Sequence, residues 1–380
     1  MSRMLAEHLV PLDRYRELRK SSPLQYDEKH GSWNVYKYDD VKQVLADYET
    51  FSSQMRKEPP PDEPIESSLL RKDPPKHRQM RALVSQAFTP RAVQSMTPLI
   101  EAVADDLLDQ AATQGEFEAV QQFAAPLPVR IIADMLGIPP EHRDLFQKWS
   151  EELVGSDTER FQRCQREMSE YFAKIVEKRR IAPGDDLISR LTAAAEQHDT
   201  LSGPELIGFC ILLLVAGNET TSNLISSALL CLDSDINARA RLLAHPASIP
   251  DAVEEIIRYC SPVQHTSRKA TKDTELRGQR ITAGQTVNLC IVSANHDEER
   301  FIHPERFDIA RNPNPHLAFG HGIHFCLGAL LARIEASIAI RALLNRFPSY
   351  ARDRSYELEK WNSWIVFGVK RLPLLLRPGH

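Results

Sequence analysis

Apolar residues recur every three or four positions through most of this chain, a rhythm that predicts amphipathic helices. Val41, Val44 and Leu45 keep that spacing after an acidic start suited to capping. Met96, Leu99, Ile100, Val103 and Leu107 form one stripe, and Leu127, Val129, Ile131, Ile132, Met135 and Leu136 another. Residues 91–200 therefore read as a succession of helices, with the highly charged 141–180 as two surface helices joined by a turn near Gly155. Residues 206–217 are apolar all round, as in a buried helix. Asn218, Glu219, Thr220 and Thr221 follow at once, and polar groups there are costly unless they have partners or a task. Leu327, Leu330, Leu331, Ile334 and Ile338 give a last helical stripe. A period of two replaces this rhythm in Trp33-Asn34-Val35-Tyr36, which predicts a hairpin, and in Thr286-Val287-Asn288-Leu289. The tail 361–376 also reads as strand. Between them, residues 58–75 form a proline-rich acidic loop in which Ile65, Leu69 and Leu70 can turn inward.

Composition narrows the class. Hydrophobic residues make up 42% of 380, enough for a large core, and 26% are charged. A net charge of −5 provides no basic field, so nucleic acid is not an expected partner. The first twenty residues are too charged for a signal peptide, and the longest apolar run is too short to span a bilayer. The expectation is a cytoplasmic protein with no membrane anchor. Six irregularly spaced cysteines without a C-x-x-C pair suit a reduced compartment.

One cysteine has an unusual setting. In Phe319-Gly320-His321-Gly322-Ile323-His324-Phe325-Cys326-Leu327-Gly328, Cys326 ends a glycine-rich loop directly before the last helical stripe. Glycine allows close backbone approach to a flat ligand, and a helix N-terminus offers free N–H groups and partial positive charge. Both favour thiolate, the metal-binding form. A lone thiolate does not suit tetrahedral zinc, but it suits one axial position on a haem iron. The whole run FGHGIHFCLGALLAR, residues 319–333, resembles the haem-binding signature of the cytochrome P450 family.

Other stretches fall into line with that resemblance. His77 and Arg81, four apart on one helix face, can together bind a carboxylate. The resemblance assigns them to a haem propionate, along with Arg268 and His324. Ala216-Gly217-x-Glu219-Thr220-Thr221 is similar to the family's oxygen-activating motif, which implies that Thr220 donates a hydrogen bond to dioxygen and Glu219 relays protons. Ala216, Gly217, Phe319, Gly320 and Gly328 then lie against the cofactor. Glu255 and Arg258 can pair on one helix face, and Arg306 is expected to complete their network. The family pattern places the 58–75 loop and the 141–180 helices over the substrate, and Leu69, Leu70, Val263, Ile365 and Val366 around it. Lys76 and Arg78 are candidates for a partner-docking face.

The implied fold is mainly α with a smaller β-rich region near 20–60, 263–295 and 355–376. It forms one domain over 1–380, with haem b between a long central helix and the Cys-loop helix. The implied enzyme is a monomeric haem-thiolate monooxygenase. It hydroxylates an apolar small molecule with dioxygen, using electrons from a separate ferredoxin or flavodoxin and its reductase. A peroxide-driven haem-thiolate enzyme and a non-enzymatic haem sensor are the alternatives.

Overall fold

The computed structural model describes residues 9–58, 63–112, 117–154, 158–198 and 201–377. Residues 1–8, part of the proline-rich loop (59–62) and the turn expected near Gly155 lie outside them. The helices are α1 (Leu12–Ser21), α2 (Tyr38–Ala46), α3 (Lys76–Ser85), α4 (Pro90–Ser95), α5 (Thr97–Ala112), α6 (Pro126–Met135), α7 (Arg143–Val154) and α8 (Thr158–Ile181). They continue with α9 (Leu187–His198), α10 (Gly203–Ser234), α11 (Ile236–Ala244), α12 (Ile249–Cys260), α13 (Ile291–Ala294) and α14 (Ala329–Arg346). The helix at 158–181 and its neighbour at 143–154 are the charged pair expected from sequence.

Helix α10 is the axis of the molecule. Ser202 and Glu205 close its N-terminus with a reciprocal capping box, satisfying two of the donors a helix start leaves unpaired. Lys76 Nζ then lies 2.9 Å from Glu205 Oε2 and ties α3 to the same end. By length and composition α10 could cross a membrane, yet most of it is packed inside the protein, against α6, α7, α8, α12 and α14. Gly208 sets the closest approach: a side chain there would collide with the carbonyl oxygen of Pro64. Residues 64–71, in two 3₁₀ turns, are thereby laid directly on α10. Leu69 is buried, whereas Leu70 is exposed.

The strands are β1 (Leu24–Asp27), β2 (Ser32–Val35), β3 (Phe51–Ser52), β4 (Phe117–Glu118), β5 (His265–Ala270), β6 (Thr274–Leu276), β7 (Gln279–Ile281), β8 (Thr286–Cys290), β9 (Ser349–Arg352) and β10 (Pro373–Arg377). The main sheet has the order β1-β2-β8-β5-β3. Strands β2 and β8 run parallel with Trp33 opposite Val287 and Val35 opposite Leu289. That register puts the apolar positions of both on one face, where they join Val41, Val44 and Leu45 of α2 in a second hydrophobic cluster. The strand expected over 361–376 is confined to 373–377. The preceding residues make only isolated bridges, Val263 to Val366 and Lys360 to Val369. Strand β4 interrupts the helical 91–200 because Phe117 and Glu118 pair with Leu374 and Pro373, some 250 residues away.

Candidate functional site

The Cys326 loop takes its shape from two glycines and an arginine. Gly320 and Gly322 have φ of +76° and +72°, the left-handed region that L side chains resist. A Cβ on Gly322 would also sit 3.0 Å from the Leu45 carbonyl oxygen, so α2 bears directly on the loop. Cys326 N donates to Phe319 O at 2.8 Å, folding the loop back on itself. Arg81 Nη1 and Nη2 donate to Ile323 O (3.1 Å) and Phe325 O (2.6 Å). Arg81 therefore clamps the loop, with guanidinium hydrogens left over for a further acceptor.

Cys326 is the one exposed cysteine among the described residues, yet protein crowds it closely enough to disfavour its charge. Those two properties together describe the wall of a deep concavity. Burial pushes the thiol up; the Gly328 N–H, Arg81 and Arg333 oppose it without prevailing. The helix start favours thiolate as expected, through the Gly328 N–H, but desolvation acts against it.

Helix α10 supplies a complementary surface. Leu212, Val215, Ala216, Glu219 and Thr220 are, with Gly217, the partly or fully accessible positions of the segment 211–220, and their spacing of three and four makes those five one stripe. Thr220 Oγ1 donates to Ala216 O at 2.7 Å. Gly217 is off that stripe, since a Cβ there would meet the Ile132 side chain on α6 at 3.0 Å. Its service in this structure is close helix packing.

His77 is buried on α3, and its ring lies 4.3 Å from that of His324. The Nε2 atoms of both are buried without a hydrogen-bond partner in the protein. Asp73 Oδ1 is 3.8 Å from His324 Nε2, an electrostatic neighbour beyond hydrogen-bond reach. Burial, then the charges of His324 and Arg81, bring His77 down to about 4, and burial likewise lowers His324, so both are neutral N–H donors at pH 7. Arg268 is buried on β5 and donates to Ser267 O at 2.8 Å. Burial and nearby Arg71 lower it to about 10, which leaves it cationic. Two orphaned donors and a buried cation make a site that lacks only an anion. Together with the accessible thiol of Cys326 and the accessible stripe of α10, these residues fit a haem with its propionates.

Beneath the loop lies the network the sequence suggested, with one member changed. Arg258, fully buried, forms two 2.8 Å bonds to Glu255 and donates to Asn295 O and Pro304 O. The third member is Arg311, whose Nε is 3.0 Å from Glu255 Oε2. The Arg306 side chain is largely exposed, and only its carbonyl takes part, accepting from Arg258 and Arg311. Asn314 and the Asp308 N–H complete the shell around Glu255. A second tie went unread: Arg333 on α14 pairs with Glu254 on α12 at 2.6 Å, and His316 joins at 3.2 Å. Arg333 also stacks over Phe319, 4.4 Å from its centroid. The signal available was Glu254 beside Glu255 and Arg333 ending the cysteine motif. Of the two cations expected on a docking face, Lys76 is paired with Glu205 and Arg78 is exposed. Val263 and Val366 are half-buried and bridged, and Ile365 is exposed beside Trp364, which stacks on His265 at 4.6 Å.

Comparison with known proteins places this geometry. The family profile described as Cytochrome P450 matches residues 23–137, 129–244 and 249–374. The chain is 43% identical over 371 residues to a putative cytochrome P450, YjiB, of Bacillus subtilis (strain 168), covering 95% of this chain and 92% of that protein. It is 35% identical over 383 residues to a 6-deoxyerythronolide B hydroxylase of Saccharopolyspora erythraea, covering 95% of each. Among solved structures, CYP109E1 from Bacillus megaterium in complex with testosterone superposes with a TM-score of 0.93 at 41% identity, over 97% of this chain and 98% of that one.

Proposed function

This chain belongs to the cytochrome P450 family of haem b monooxygenases, and on that premise we propose that Cys326 is the axial ligand of an enzyme that hydroxylates an apolar organic molecule. The observation that carries the assignment is the accessible thiol of Cys326, on a loop clamped by Arg81, beside two buried histidines whose Nε2 atoms have no hydrogen-bond partner in the protein. Bound haem supplies the activation of dioxygen, and thiolate ligation favours O–O cleavage.

The protein's part is positioning and proton handling. His77, His324, Arg268 and the spare hydrogens of Arg81 hold the two carboxylates. Phe319, Gly320 and Gly328 border the thiolate, and Ala216 on the open stripe allows the ring to lie close to α10. Glu219 takes up protons from solvent and Thr220 passes them on; rotation about χ1 frees its hydroxyl from Ala216 O. Leu212 and Val215, with Leu69, Leu70, Val263, Ile365 and Val366, make an apolar surround for substrate. Two relatives, one a hydroxylase of 6-deoxyerythronolide B and one crystallised with testosterone, support a bulky apolar substrate class. In this reading a separate ferredoxin or flavodoxin supplies the electrons to a one-domain, monomeric, cytoplasmic enzyme.

The test is the spectrum of the reduced, haem-loaded protein under carbon monoxide. Wild type gives the strongly red-shifted Soret band of a thiolate ligand, and Cys326→Ser loses it. A wild-type band at the imidazole position would refute the assignment.

A further inference from the structure

On the flank of α10 away from Cys326, polar side chains line a cleft of about 270 Å³ that includes Glu219 and Asn223. It shares Gln121, Val129 and Gln147 with a neighbouring cleft of about 240 Å³, which reaches the exposed residues Gln110 and Asp144. The two adjoin through that shared lining, which sets a path from the surface towards the acid of the open stripe. Asn223 stands one turn beyond Glu219, so both side chains leave the same face of α10. Only 3% of Asn223 is exposed, and its Nδ2 has no hydrogen-bond partner in the protein. Its position is tightly held, because the segment around Gly368 lies on the amide so closely that any side chain at 368 would collide with it. A buried amide donor, fixed in place and unpaired, on the wall of a polar cleft, calls for a ligand that accepts a hydrogen bond.

We propose that Asn223 holds the water through which Glu219 is re-protonated along this path. The inference rests on the relay role proposed for Glu219. The bound water accepts a hydrogen bond from Asn223 Nδ2 and gives a proton to the Glu219 carboxylate. It regains one from solvent along Gln147 and Gln121, so each proton delivered inward is replaced from outside and no net charge accumulates. Asn223 is a positioning residue; it does not touch substrate or cofactor.

The test uses the haem-loaded protein with Asn223→Leu, Asn223→Ala (in case leucine does not fit beneath Gly368), isosteric Asn223→Asp and, in parallel, Glu219→Gln. Crystals of the wild type are expected to show an ordered water within about 3 Å of Nδ2, absent from the leucine variant. With reductant and oxygen, the leucine and alanine variants should release roughly 3- to 10-fold more hydrogen peroxide per electron pair, the range of a partial general-acid defect. Their solvent isotope effect should change, while substrate affinity, the reduced carbon monoxide spectrum and peroxide-driven turnover do not. Asn223→Asp keeps the shape but loses the Nδ2 donor, so it should uncouple as the leucine and alanine variants do. If Glu219→Gln uncouples but the leucine and alanine variants do not, the role of Asn223 is overturned and the relay stands. If Glu219→Gln leaves coupling intact, the relay itself falls and this inference with it. Losses equal under reductant and peroxide would mark a merely structural residue and also overturn it.

Discussion

Two glutamates, one half-buried and one fully buried, show how environment decides what a carboxyl group is for. Burial works against the charge on Glu254, but hydrogen bonds from His316 and Arg333 hold its carboxyl down at about 2. Its folded pKa lies below its unfolded one, so its stabilisation is present above about 4.5 and disappears as pH falls towards 2. Glu335 on α14 has the opposite sign. It is buried with Oε2 unpartnered, and burial alone pushes it up to about 8. The folded state must keep a proton that the unfolded chain sheds, so stability falls as pH rises from about 4.5 to about 8. In urea melts, Glu335→Gln is expected to flatten that alkaline decline and to be the more stable protein at pH 8, by an amount on the order of a few kcal/mol. Glu254→Gln should instead lose stability at pH 7 and remove part of the acid transition. Arginines divide in the same way. Arg311→Met takes one of two arginines from the fully buried Glu255 and leaves Arg258 in place, which costs about 1.5–3 kcal/mol and lowers haem retention. Arg306→Met, at an exposed position, should change stability by only about 0.5 kcal/mol. Parallel melts and haem-to-protein absorbance ratios would separate the two; equal losses would restore Arg306 to the network.

At the level of elements, the seat of residues 64–71, the segment expected over the substrate, is defined by one missing side chain. Residues 64–71 have no regular secondary structure beyond two 3₁₀ turns, and they stay in place because Gly208 lets the Pro64 carbonyl rest on α10 and Gln165 accepts from Ile65 N at 3.3 Å. Gly208→Ala removes the entropic cost of glycine in a helix, worth about 1 kcal/mol, but drives a methyl into backbone that cannot swing aside. The segment must lift from α10. The expected result is a weaker substrate-induced spin shift, several-fold in dissociation constant, with the melting temperature little changed; unchanged affinity would mean that the segment is held elsewhere. The same contact explains what the sequence could and could not disclose. Cys326, the stripe of α10 and the Glu255–Arg258 pair were readable because chain neighbours create them through loop, period or i,i+3 spacing. Arg311 reaches Glu255 across 56 residues, and Glu118 meets Pro373 across 255. No local rhythm records such partners, nor that the Cβ missing at Gly217 faces Ile132.

Across the whole molecule, two apolar clusters meet at the cysteine loop. The larger belongs to the helices around α10; the smaller lies between the main sheet and α2. Leu45 of the smaller cluster abuts Gly322, and Leu317 of the same cluster accepts from Gly320 N at 2.8 Å. Phe319 and Leu327, one on each side of Cys326, pack on the larger cluster. The loop thus bridges the two clusters, and a cofactor held by the proposed residues would contact both the loop and α10. Binding to the folded state alone stabilises it by mass action, about 4 kcal/mol at a thousandfold excess over the dissociation constant. Much of that gain should fall on the segments the cofactor touches, because the sheet retains its own ladder and core. Hydrogen exchange before and after haem extraction is the measurement. Amides in 212–220 and 317–330 should lose protection by at least an order of magnitude, whereas those of β2, β5 and β8 should change little. Uniform loss across the sheet would mean that the clusters fold as one cooperative unit and that the loop is no boundary between them.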